Sequence, residues 1–119
     1  MAKGIALYAP VVEGLDEIKN TVEVREFEIG DSYQLLRDAV EGYIECVHLS
    51  SLGVDMWLNE EGKLIGLEPN ALATYLFLRE FNTLDVIMGN VIFTGGADEE
   101  GETLGLTEEQ LQKLLAIAE

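Results

Sequence analysis

Cysteine, histidine, proline and basic side chains are all scarce in this 119-residue sequence, and each scarcity excludes something. With one cysteine, Cys46, there is no partner for an intrachain disulfide, which suits a reducing, cytosolic setting. One histidine, His48, beside that one cysteine falls short of the four-ligand set of a zinc site. Long apolar runs are also missing. The run from Gly4 to Ala9 is too short for a signal-peptide core or a membrane span, and Pro10 ends it, so a soluble, cytoplasmic protein without membrane association is expected. Seven lysines and arginines face 23 acids, for a formal charge of −16. Binding to DNA or RNA needs a basic stripe that displaces counterions, so direct nucleic-acid binding is excluded as an expectation.

Apolar residues are plentiful. At 48% they suffice for a core without disulfide or metal staples, and the length fits one domain over residues 1–119. Compactness scaling puts the radius of gyration at roughly 13–14 Å.

The stretch Val54–Asn70 organises the reading. It predicts a strand at Val54–Asn59, a tight polar turn at Asn59–Lys63, a short return strand, and a helix start at Pro69–Asn70. Gly62 is expected to supply a positive-φ turn residue, with Asn59 as a turn residue and Asn70 as a helix cap. Before it, Gly4–Ala9 reads as a first strand and Glu13–Asn20 as a polar connection with a helical turn. Thr21–Ile29 follows as a second strand, in which Val22 and Val24 are out of phase with Phe27 and Ile29. That change of phase implies either a bulge near Arg25–Phe27 or a strand covered on both faces at its end. Asp31 or Ser32 caps a helix of about ten or eleven residues, with Gly42 as its stop. Tyr43–Leu49 then forms a hairpin with the Val54 strand.

Downstream, the helix from Asn70 to Phe81 is apolar nearly all round, which marks it as the central helix or as one carrying a subunit interface. Leu72, Tyr75, Leu76 and Phe77 are the candidate oligomer face. Asp85–Thr94 is the most apolar strand, with Gly89 as a bend, and its two apolar faces call for cover on both sides. Gly95–Gly101 is a loop. Thr107 opens a capping box with Gln110 for the last helix. The resulting order, ββαββαβα, describes an α+β domain with a mainly antiparallel sheet packed by helices.

Chemistry-bearing residues are few. Cys46 and His48 share one strand face, the spacing a thiolate–imidazole nucleophile needs, but such neighbours arise often on strands. Asp98, Glu99, Glu100 and Glu102 form a candidate acidic surface. Their spacing is not that of a calcium-binding EF-hand loop, and solvated loop acids account for them. No phosphate-binding glycine signature is present, and Arg25, Arg37 and Arg79 would have to converge to hold an anion. No catalytic residue, metal ligand or cofactor is therefore assigned.

Four runs carry a family resemblance: G-Y-I-E-C-V, then W-L-N-E-E-G-K-L-I-G-L-E-P-N, then D-V-I-M-G-N-V-I-F-T-G, and finally L-T-E-E-Q. Together they resemble the domain-of-unknown-function family numbered thirty-eight forty-six, over about Val22–Leu115. The resemblance implies a protein of phages and plasmids that works inside a bacterial host, and it transfers no functional residue. The function expected is binding to a host macromolecule, such as a basic or nucleic-acid-binding protein whose activity it blocks. Duplex DNA carries about 20 charges over roughly 35 Å, so a charge of −16 on a globule of that length is of comparable density. The alternative is an oligomeric module that holds a nucleotide-like molecule.

Overall fold

A computed structural model describes residues 2–12 and 17–119. The chain runs through β1 (Lys3–Ala9), a single 3-10 turn (Ile18–Asn20), β2 (Glu23–Glu28), α1 (Tyr33–Val40), β3 (Ile44–Leu49), β4 (Val54–Asn59), α2 (Ala71–Phe81), β5 (Val91–Gly95) and α3 (Glu108–Ile117). The five strands form one sheet in the order β2-β1-β5-β4-β3, and every neighbouring pair is antiparallel. The α+β order ββαββαβα read from the sequence is the order of the fold. The radius of gyration is 13.3 Å, with extents of 39 × 29 × 26 Å.

Alternation along the strands divides the core into two layers. Leu7, Met56, Val91 and Phe93 point to the face covered by α2 and α3, where they meet Leu72, Leu76, Leu111 and Leu114. Ala6, Phe27 and Ile92 point to the other face, where Leu36 and Ala39 of α1 cover them. β5 lies in the middle of the sheet and is buried along its whole length, so both of its faces must be apolar.

Several expectations change. The register between β1 and β2 runs unbroken from Lys3 opposite Glu28 to Tyr8 opposite Glu23, without a bulge. The phase change arises because Phe27 serves the α1 layer while Val22 packs on the larger cluster. α1 spans 8 residues and is closed by Glu41, which takes the left-handed conformation (φ 61°) in place of the expected glycine stop. Ser32 precedes it without a side-chain capping bond. Gly42 is needed for a different reason: a Cβ there would sit 2.7 Å from the Asn59 amide nitrogen. The polar connection Glu13–Asn20 lies partly outside the described residues, and its described end forms the 3-10 turn.

The return strand after β4 does not form. Both edges of β4 are already occupied, by β3 and β5, so the chain from Glu60 to Leu67 has no strand to join. It closes helix-like turns instead, with Ile65 N donating to Glu61 O and Leu67 N to Gly62 O. Left-handed glycines fall at Gly66 and Gly89 and not at Gly62, which instead lies where a Cβ would come within 2.7 Å of the Met88 carbonyl. The strand expected from Asp85 is shorter, because Gly89 (φ 94°) breaks the extended run and β5 starts only at Val91. Nor is α2 the central element. It buries Leu72, Ala73 and Leu76 on one side and leaves Tyr75, Leu78 and Phe81 exposed on the other.

Candidate functional site

The open part of the α1-side face carries the residues with chemistry. α1 is short and covers only part of the sheet. Register places Cys46 opposite Trp57 and His48 opposite Asp55. His48 Nδ1 lies 2.6 Å from Asp55 Oδ1, with the imidazole more than half exposed and the carboxylate nearly buried. Trp57 Nε1 donates to Thr94 Oγ1 at 2.9 Å, and that hydroxyl donates on to the Gly95 carbonyl at 3.0 Å. Asp55 thus faces both residues of the sequence pair. Cys46 is exposed on the sheet, and partial desolvation by its neighbours, then the negative charge of Asp55, push its thiol up to about 12. A nucleophilic cysteine needs the opposite, a cationic neighbour that favours the thiolate. At neutral pH Cys46 is a protonated thiol.

The acidic loop is organised around its own backbone. Asp98 Oδ1 accepts from Glu100 N (2.8 Å) and Glu102 N (3.0 Å), and Gly101 supplies a left-handed turn residue at φ 84°. Glu99, Glu100 and Glu102 are exposed. Among the described residues no group of three or more acidic, histidine or cysteine side chains is placed to hold a metal ion. The three arginines do not converge. Arg25 pairs with Glu23 and stacks over Tyr8, Arg37 lies over Tyr43, and Arg79 projects from α2.

The turn and cap residues are more deeply committed than their local roles suggest. Asn59 is buried. Its amide nitrogen donates to Val40 O, and its oxygen accepts from Glu61 N. Asn70 caps α2 by accepting from Ala73 N, and its amide nitrogen donates to the carbonyls of both Ala9 and Gly89. Thr107 and Gln110 complete their capping box, and Gln110 also donates to Gly53 O in the β3–β4 turn. Glu80 of α2 reaches the same turn. Its bonds from Ser51 and Ser50 hold its carboxyl below the usual range.

The candidate oligomer face is divided. Leu72 and Leu76 belong to the core, Phe77 is half-buried and meets Phe81 at 4.6 Å between ring centroids with the rings tilted by 44°, and Tyr75 is exposed. The apolar surface of α2 is therefore the row Tyr75, Leu78 and Phe81, continued by Leu84 just beyond the helix.

Beside Phe77 lies a groove of about 170 Å³ that sequence reasoning missed. Its walls come from four separate segments: Glu45 and Val47 of β3, the stretch from Leu58 through the turn to Leu64, Phe77 of α2, and Asp85–Met88. Lys63 reaches across its mouth to the Asp85 carboxylate. The one local signal was the apolar pair Leu64–Ile65, which served the expected return strand and is instead exposed, Leu64 at 85%.

A family model described as a domain of unknown function (DUF3846) matches residues 15–118. No curated protein and no solved structure matches the chain. No helix among the described residues is long and apolar enough to cross a membrane.

Proposed function

The chain belongs to the DUF3846 family, and we propose that it is an acidic binding protein that engages a basic macromolecule of a bacterial host, blocking or redirecting it. The observation that carries this reading is an apolar surface set in a strongly negative body. Tyr75, Leu78, Phe81, Leu84 and Leu64 are all exposed on a chain of net charge −16. Exposed apolar patches rimmed by charge mark interaction sites, and surplus negative charge speeds encounter with basic partners while repelling nucleic acid. A protonated Cys46 supports binding over nucleophilic catalysis. The second reading, an oligomer that sequesters a nucleotide-like ligand, has the exposed α2 row in its favour and the acid-rimmed groove against it, since phosphates would meet Glu45, Glu60 and Asp85.

A pull-down from bacterial lysate across a salt series tests the first reading. A basic protein retained at low salt and released at high salt is the expected result. Capture of no salt-sensitive protein overturns it. A small molecule co-purifying in native mass spectrometry would move the assignment to the second reading.

A further inference from the structure

Among the described residues the sheet has two free edges, and they differ in a way that bears on which of them could take a partner. β2, at one end, carries Glu23, Arg25, Glu26 and Glu28 among its six residues, the charged dressing that keeps an edge from pairing. β3, at the other end, reads I-E-C-V-H-L, with one acid, no lysine and no proline. Its outward hydrogen-bonding positions follow from the ladder. Glu60 N donates to Tyr43 O, and with Ile44 opposite Asn59 this fixes Tyr43, Glu45, Val47 and Leu49 as the residues bonded to β4. The N–H and C=O groups of Ile44, Cys46 and His48 therefore point to the open edge. None of them has a backbone partner outside the β3–β4 ladder among the described residues. The acid-rimmed groove opens along this edge, walled by the Glu45 and Val47 side chains.

Resting on the reading of an acidic binding protein, we propose that β3 accepts an extended segment of the partner as a sixth strand, with alternating basic and apolar residues. Side chains on one face of the added strand enter the groove over Val47, Leu58 and Phe77. Those on the other face lie beside Cys46, His48 and the Asp55 carboxylate. Backbone pairing supplies affinity, and the alternating pockets supply selection. Glu45, Glu60 and Asp85 rim the groove, with Lys63 already paired to Asp85, so the surplus charge favours a cationic segment over a second copy of this chain.

The test uses a nine-residue peptide of alternating lysine and valine, with an aspartate–valine peptide and a proline-interrupted peptide as controls. Hydrogen exchange is followed residue by residue. The lysine–valine peptide is expected to slow exchange at the amides of Ile44, Cys46 and His48 by about tenfold or more, while the two controls leave them unchanged. Protection confined to the α2 row, or no protection at these three amides, overturns the proposal. Protection already present without peptide and rising with protein concentration overturns it in favour of a second copy. Cys46→Pro removes one outward N–H without touching the ladder to β4, and it is expected to abolish peptide binding with the circular dichroism retained. Should that variant unfold, the exchange pattern of the natural chain decides alone. A salt-sensitive partner captured equally by the natural chain and a folded Cys46→Pro variant overturns the edge and leaves the binding-protein reading standing. No salt-sensitive capture by the natural chain overturns both.

Discussion

Asp55 shows how one side chain settles the chemistry of its neighbours. It lies nearly buried between a thiol and an imidazole, and its charge disfavours a second negative charge on Cys46. Partial desolvation acts in the same direction and is the larger cause, so the folded thiol is raised from 9.0 to about 12. The sign for stability follows. A raised acid is held protonated by the fold, so its contribution is fully present below about 9 and is lost as pH rises from there through about 12. The unfolding free energy of the natural chain should therefore fall more steeply across that window than that of Cys46→Ala, as measured by urea unfolding at a series of pH values. Asp55→Asn should bring the thiolate absorbance midpoint down towards 9 without reaching it, because the partial desolvation remains. A thiol that titrates near 9 in the folded natural chain would show that neither effect operates.

At the level of elements, the parts legible in the sequence were those fixed by neighbours along the chain. The capping box at Thr107, the cap at Asn70 and the strand at Val54–Asn59 are local patterns, and the structure has each of them. Features decided by distant partners were not legible. The return strand failed because β5, more than twenty positions on, had taken the edge it needed, and the groove draws its walls from four segments. α2 reads as apolar all round, yet composition does not say which side meets the sheet. Asn70 joins both kinds of information. Its oxygen starts α2, while its nitrogen ties the end of β1 to the bend at Gly89. Asn70→Ala removes a cap worth about 1 kcal/mol and also leaves two carbonyls without their buried donor, for a total loss of about 2–4 kcal/mol. Asn70→Asp keeps the acceptor but sets a carboxylate against those two carbonyls, so it should not recover the loss at neutral pH. Urea unfolding of the two variants measures this, and a cost under about 1 kcal/mol for Asn70→Ala would mean that the buried ties contribute nothing.

For the molecule as a whole, the surplus of acids that we propose serves encounter with a cationic partner works against compactness. A charge of −16 is confined to extents of 39 × 29 × 26 Å, and the ion pairs among the described residues leave most acids unmatched. Exposed acids at such spacings repel one another across distances comparable to the screening length, which is about 30 Å at 0.01 M salt and about 10 Å at 0.1 M. Unfolding moves them apart, so the folded state bears the larger share of the repulsion at low salt. Added sodium chloride should therefore raise the melting temperature between about 0.01 and 0.3 M, where screening changes most, by several degrees. The ordinary surface ion pair would push the other way, since salt weakens attraction as well, and each exposed pair is worth only about 0–1 kcal/mol. The direction of the shift thus reports which of the two dominates. Replacing Glu99 and Glu100 by lysine makes the comparison internal. Both are exposed loop acids, so the change lowers the net charge from −16 to −12 with no core contact altered. The double variant should melt higher at low salt and gain less from added salt. A melting temperature that falls with salt in the natural chain would place the acids in attractive networks, and the negative surface would then be a source of stability.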